Sequence, residues 1–289
     1  MQGVKKNFRY FFLGLLVLAC FFVWYAVYAE SGQELRVVFL DVGQGDVIFI
    51  ETPNGNQVLI DGGPNKAVLR ELSKMMPFYD HSIDMVIESH PDSDHINGIV
   101  DVLRRYDVDY IMESGIKSDN AAFAEIEKIV AEKNIRKVLA RRGTRVVLGN
   151  GAILDVLFPD RDPTGMDTND ASIIAKLQYG NKSFLFTGDS PQKMEKYLVS
   201  LEGNPPAGGL DSDVLKVGHH GSKTSSSEIF LGYVSPEYAG ISVGKDNRYT
   251  PPHQEVLDRL KNFSINILRT DEIGTIKIKT DGENILFAN

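Results

Sequence analysis

Ser89-His90-Pro91-Asp92-Ser93-Asp94-His95 is the stretch on which the reading of this chain turns. Four potential metal ligands, His90, Asp92, Asp94 and His95, fall within six residues, after the apolar run Ile83 to Ile87 and before a helical pattern from Ile96 to Tyr106. Alternating spacing in an extended turn sends 90, 92 and 94 to one side and 95 to the other, so one loop can feed two adjacent cations. The competing reading is a solvated acidic turn in which Asp94 caps the helix.

Two other strand ends supply side chains of the same kind. Ser183 to Phe186 runs into Thr187-Gly188-Asp189, and Val214 to Val217 runs into Gly218-His219-His220-Gly221-Ser222. The C-terminal end of a buried strand is where an α/β scaffold holds a side chain rigidly. Taken singly, Asp189 reads as a helix cap and the paired histidines as a surface turn. Three such ends in one chain point to a metal site. The lone cysteine, Cys20, lies far from all of them, so the ligands have to be His, Asp or Glu.

Outward from these loops the chain alternates. Glu34 to Val42, Val47 to Thr52 and Val58 to Asp61 read as a β-meander, with a Pro53-Asn54-Gly55 turn before the third run. Helical patterns follow at Ala67 to Met75 and Ala121 to Lys133, with a strand at Ile83 to Ser89 between them. Strands are then expected at 138–139, 145–147, 153–158, 173–179, 183–187, 214–217, 238–242, 265–268, 274–280 and 284–287. Helices are expected at 192–201, 227–234 and 253–263. Pro159 to Asp170 and Glu202 to Asp211 read as loops. The mixture implies an α/β domain of stacked layers.

The first 29 residues stand apart. Lys5, Lys6 and Arg9 precede Tyr10 to Ala29, twenty residues without a charge. About 20 apolar residues match a ~30 Å hydrocarbon core, whereas a secretory core is ~7 to 15 residues. The expectation is a membrane anchor or signal segment at 1–29, with residues 30–289 as one domain outside the cytoplasm. Cleavage near Ala29, releasing a secreted protein, is the alternative. The formal charge is −8, and −11 once Lys5, Lys6 and Arg9 are set aside. That disfavours a broad basic nucleic-acid platform.

The motifs together resemble the metallo-β-lactamase fold, and within it the hydrolase-like domain of the ComEC competence proteins. The resemblance is carried, in order, by Phe39 to Asp46 (FLDVGQGD), Leu59 to Gly63 (LIDGG), His90 to His95, Asn169 to Ser172, Thr187 to Asp189 and Leu215 to Thr224. It implies an α/β fold, a four-layer αββα sandwich, and a metal-dependent hydrolase. It also implies that His90 and Asp92 serve one metal position and Asp94 and His95 a second. Asp189 would bridge the two, with His219 or His220, His220 preferred, completing the set. Asp61, and with it Asp41 and Asp46, would orient the metal loop.

The chain departs from the general family pattern, which has histidines at the position of Asp92 and near Asn169. Fewer imidazoles and more carboxylates shift the preference towards harder ions, so one or two divalent cations are expected, manganese or zinc first and magnesium next. Pro251 stands where the ComEC group has a histidine, and His253 reads equally as a helix start. The chemistry expected is hydrolysis by a metal-activated water of a phosphodiester, with Asp94, Asp92 and His220 at the reacting centre and Ser222, Lys223 and Thr224 holding a phosphate oxygen. By resemblance the substrate is DNA, single strands favoured, in uptake for competence, with a separate channel protein as partner. A cell-envelope hydrolase of small phosphoesters, with Tyr249, Tyr233 and Phe230 near its pocket, is a second reading. A non-catalytic DNA- or partner-binding module with a weakened metal site is a third.

Overall fold

The computed structural model describes residues 2–30, 34–202, 209–245, 247 and 250–288. Arg248 and Tyr249, and residues 203–208 of the loop expected after Glu202, lie outside them. Contacts divide the chain into two units, Met1–Glu34 and Leu35–Asn289.

The first unit is helix α1 (Gln2–Glu30), whose described side chains from Tyr10 to Tyr25 are exposed. Among the described residues no helix is long and apolar enough to cross a membrane, so the single-pass span expected from the sequence is not supported.

In the second unit, strands β1 (Leu35–Phe39), β2 (Ile48–Glu51), β3 (Gln57–Ile60), β4 (Ser82–Glu88), β5 (Asp107–Glu113) and β6 (Arg136–Leu139) belong to one sheet. A second sheet holds β7 (Arg145–Gly149), β8 (Ala152–Phe158), β9 (Ile174–Tyr179), β10 (Lys182–Phe186), β11 (Val214–Lys216), β12 (Tyr238–Ile241) and β13 (Asn266–Arg269). The last strands, β14 (Ile276–Thr280) and β15 (Ile285–Ala288), return to the first sheet, whose order is β15-β14-β1-β2-β3-β4-β5-β6. The second runs β13-β12-β11-β10-β9-β8-β7.

Side chains alternate across each strand, and the alternation builds the layers. Val37 and Phe39 of β1 join Phe184 and Phe186 of β10 in a core between the sheets. Val38, one residue over, faces outward and packs with helices α2 (Ala67–Met75), α3 (Ser93–Arg105) and α4 (Ala121–Lys133). Leu185 does the same on the other sheet, against α5 (Gln192–Glu202), α6 (Glu228–Val234) and α7 (Gln254–Asn262). The result is the αββα sandwich expected from the motifs, with a short α8 (Thr270–Ile273) besides.

Most element bounds fall within a residue or two of expectation, and α2 and α4 coincide with it. Two differences matter. The strand β5 had no counterpart in the sequence reading, which assigned nothing between Tyr106 and Ala121, although Asp107-Val108-Asp109-Tyr110 alternates charged with apolar residues at a strand's period. Helix α3 begins at Ser93, not Ile96, so Asp94 and His95 sit on a helical turn instead of in an extended loop. Asp92, not Asp94, is the N-cap position, and its side chain makes no capping bond.

Glycine sets the entry to that helix. A Cβ on Gly98 would lie 1.9 Å from Gly62 O, and one on Gly62 would lie 2.3 Å from Ile99 N. Only two bare backbones can approach so closely. The approach lets Gly62 N–H donate to His95 O at 2.6 Å, pinning the first turn of α3 to the end of β3.

Candidate metal centre

The three loops singled out in the sequence meet at one edge of the sandwich. His90 lies just past β4, Asp94 and His95 open α3, Asp189 follows β10, and His219 and His220 follow β11. His90 and His95 are fully buried, and Asp189 and His220 nearly so. Among the described residues, four groups of side chains have ligand atoms within 4.8 Å of one another: His90-His95-Asp189, Asp94-His95-His220, Asp46-Asp61-His95 and Asp46-Asp189-His220.

Hydrogen bonds fix which nitrogen each imidazole presents. Ser89 is the hub beside β4: its N–H donates to Asp61 Oδ1 at 2.8 Å and its hydroxyl to Asp61 Oδ2 at 2.7 Å. The same hydroxyl oxygen then accepts from His90 Nδ1–H at 3.0 Å. His95 Nδ1–H donates to Asp61 Oδ2 at 2.8 Å, and His220 Nδ1–H to Ser242 O at 2.9 Å. All three rings therefore turn Nε2 inward, the arrangement a metal-binding histidine requires.

Two of those inward nitrogens lack hydrogen-bond partners among the described residues. His90 Nε2, His95 Nε2 and Asp189 Oδ1 are buried without a hydrogen bond among the described residues. His95 Nε2 lies 3.4 Å and His220 Nε2 3.6 Å from Asp189 Oδ2, and His220 Nε2 lies 3.1 Å from Asp94 Oδ2. Bare imidazole nitrogens and carboxylates converging in a buried space carry an uncompensated cost unless a cation lies among them. The donor set fits a divalent metal: imidazole and carboxylate, no thiolate.

The charges confirm the convergence. Burial works against ionisation of Asp189, but His95 and then His220 and Lys216 hold its pKa well below the usual carboxylate range. Burial likewise opposes charge on His220, yet Asp189 and Asp46 lift its pKa to about 10. His95 is raised for the same reason, by Asp189 and Asp61 against burial. His90, deepest and beside His95 at a ring distance of 4.1 Å, is pushed down to about 4 by burial and by its neighbour.

The remaining expected residues divide. Asp92 stays at the rim, its side chain 38 % exposed and Oδ2 3.7 Å from His90 Nε2, and it joins none of the four groups. His219 is also peripheral: 34 % exposed, with Nε2 3.8 Å from Asp189 Oδ2 and Nδ1 3.1 Å from Thr224 Oγ1. Asp61 and Asp46 reach the centre. Asp41 does not: its N–H donates to Thr275 Oγ1 and its carboxylate accepts from Gly43 N–H, so it shapes the Gly-rich turn.

A cleft of about 670 Å³ adjoins the centre, lined among others by Asp94 and Asn97 of α3, His219, His220 and Ser222, and Gln44 and Asn65. Ser222 is buried, while Lys223 and Thr224 are exposed, and of the three only Ser222 lines the cleft. Pro251 and His253 close one side, with Lys223 N–H donating to His253 Nδ1 at 3.3 Å. Phe230 is buried in the outer core and Tyr233 packs against it, so neither of these aromatics reaches the cleft.

Two features went unread in the sequence. Residues 218–221 form a tight turn in which His219 (φ 50°), His220 (φ 53°) and Gly221 (φ 82°) are all left-handed. Two consecutive non-glycine residues there store about 1–3 kcal/mol each, strain that aims His220 inward. The other is Lys216, 1 % exposed at the end of β11, which bonds Asp46 and Gly188 O (2.8 Å) and lies 3.5 Å from Asp189 Oδ1. The signal for it was a lysine inside the otherwise apolar Val214 to Val217.

Residues 40–245 match the metallo-beta-lactamase superfamily, and the chain belongs to it. Among curated proteins it is 31 % identical over 271 residues to ComE operon protein 3 of Bacillus subtilis (strain 168), covering 88 % of this chain and 34 % of the relative. It is also 31 % identical over 262 residues to competence protein ComA of Neisseria gonorrhoeae, covering 91 % of this chain and 35 % of that one. The chain thus spans about a third of the length of these relatives. Among solved structures, Igni18, a metallo hydrolase of Ignicoccus hospitalis, aligns with a TM-score of 0.53 at 14 % identity, covering 84 % of this chain and 98 % of that one. CmlA, a diiron β-hydroxylase of Streptomyces venezuelae, aligns at 0.55 and 13 % identity, covering 89 % of this chain and 54 % of that one. At such identities the likeness is one of fold. The protein has the metallo-hydrolase fold of this superfamily and is homologous to competence proteins, and its fold implies a divalent metal.

Proposed function

We propose that the protein hydrolyses phosphodiester bonds of DNA, single strands in preference to duplex, outside the cytoplasm. The observation that carries the chemistry is the set of inward-facing, unpartnered Nε2 atoms of His90 and His95 beside Asp189, next to a cleft lined by Asp94 and His220. A divalent cation held by His90, His95, Asp94, Asp189 and His220 would lower the pKa of water towards ~7 and offset phosphate charge.

The chain's own residues supply the rest. Asp61 and Ser242 O hold the His95 and His220 rings by Nδ1–H, so neither ring can swing when substrate enters. Asp92 and Asp94, each with a side chain 38 % exposed, are the acids placed to take the proton that an attacking water sheds. The Ser222 hydroxyl, in the cleft wall beside His220, is the donor placed for a phosphate oxygen, and Gln44, Asn65 and Asn97 also line the cleft.

DNA as the substrate is supported by homology to the competence proteins. Of the three aromatics that the small-phosphoester reading invoked, Phe230 and Tyr233 do not line the cleft, and Tyr249 lies outside the described residues. Action outside the cytoplasm is supported by the signal-segment reading of Lys5, Lys6 and Arg9 ahead of an uncharged run that ends near a cleavage position at Ala29. A separate channel protein would be the partner if the DNA is being taken up.

The test is hydrolysis of labelled single-stranded and duplex DNA by the full chain, scanned over manganese, zinc and magnesium, with Asp94→Ala/His95→Ala as control. Metal-dependent cutting of single strands that disappears in the control is expected. Metal binding without cleavage of either DNA would contradict the reading and favour a small phosphoester or a binding role.

A further inference from the structure

Lys216 has no role in the hydrolytic reading above, yet it is the most deeply buried lysine or arginine among the described residues, at 1 % exposure. Its ammonium bonds the Asp46 carboxylate, donates to Gly188 O at 2.8 Å and sits 3.5 Å from Asp189 Oδ1. A buried lysine is retained only where acceptors surround it, and here two of its three neighbours are acids that also lie within ligand distance of His220.

The position of that ammonium matters more than its burial. Asp46, Asp189 and His220 form one of the four groups able to hold a metal, and Lys216 bonds or borders both acids of that group. It lies on the Oδ1 side of Asp189, while His95, His219 and His220 all face Oδ2. Thus the two oxygens of Asp189 face different cations: the lysine within, and the histidine-lined space beside the cleft without.

We propose that Lys216 is a built-in cation of the metal centre, a positioning residue that neutralises Asp46, engages Asp189 Oδ1 and confines divalent metal to the outer groups formed by His90, His95, Asp94, His220 and Asp189 Oδ2. This rests on the metal-centre reading. It explains how five acids, Asp46, Asp61, Asp92, Asp94 and Asp189, share so small a region with only one lysine among their described ion-pair partners.

The consequence is electrostatic and measurable without turnover. Lys216→Met keeps the length of the side chain and removes the charge, so the inner acids become available to metal. Manganese should then bind about ten-fold tighter or more, with a second equivalent per chain, and should raise the melting temperature by more than it does in the wild type. Asp46→Asn leaves the lysine unneutralised and should weaken manganese binding by a similar factor, while the double variant Asp46→Asn/Lys216→Met should return towards wild-type affinity.

Titration calorimetry and manganese electron paramagnetic resonance on the full chain read affinity and stoichiometry directly. If Lys216→Met does not fold, Asp46→Asn decides alone. Unchanged affinity and stoichiometry in the variants that fold would reduce Lys216 to a packing residue and overturn the proposal, leaving the metal centre intact. Absence of manganese and zinc binding by the wild type would overturn both.

Discussion

His95 owes its orientation to a single carboxylate, for Asp61 accepts both its Nδ1–H and the Ser89 hydroxyl. Asp61→Asn keeps the shape but presents a donor where the His95 proton points, and should cut metal affinity about 10- to 100-fold, measured by calorimetry, while the fold survives. The two adjacent histidines should part company in the same assay. His220→Ala, removing a ring anchored at Ser242 O and facing both Asp94 and Asp189, should abolish tight binding, whereas His219→Ala, at the rim, should change it several-fold at most. At this scale the sequence was most legible: strand-end motifs picked out His90, His95, Asp189 and the histidine pair, because ligand-rich turns after apolar runs have few other uses. It was least legible for Asp41, whose place in a Gly-rich motif says nothing about where its carboxylate turns, and for Lys216, whose neighbours come from strands far away in the chain.

Strands β4 and β5 pair in parallel with Glu88 directly beside Glu113, and Glu88 is almost fully buried. Burial first, and the nearby Glu113 and Asp61 next, push the Glu88 pKa from 4.5 up to about 8. A carboxyl whose pKa rises on folding stabilises the protein fully below its unfolded value and loses that contribution as pH climbs through the folded one. Stability of the metal-free protein should therefore fall between pH ~4.5 and ~8, by about 5 kcal/mol if this group acts alone, and Glu88→Gln should flatten the slope in urea melts across that range. The opening of α3 makes a second demand. Gly98→Ala would drive a methyl group to 1.9 Å from Gly62 O, and should cost about 1–3 kcal/mol while loosening the Gly62–His95 bond that seats the helix. The periodic elements were readable because their apolar faces repeat cleanly. β5 was missed although Asp107 to Tyr110 alternates with a strand's period, because the alternation covers only four residues directly after a helical pattern and runs on into Ile111-Met112 without it.

Across the whole molecule, the sandwich brings the ends of β4, β10 and β11, from both sheets, to one edge, so residues 126 positions apart, Asp94 and His220, meet at 3.1 Å. Sequence order could suggest this meeting only through the family resemblance, because long-range pairing leaves no local trace. The N-terminal stretch shows the converse: its composition was plain in the sequence, but the structure does not support a membrane span for α1. The central claim concerns atoms, and anomalous diffraction from crystals of the full chain soaked in manganese tests it most directly. A peak bounded by His90 Nε2, His95 Nε2 and Asp189 Oδ2, with or without a second beside Asp94 and His220, is predicted. No peak at this edge of the sandwich, or one only at the exposed acids elsewhere, would contradict it.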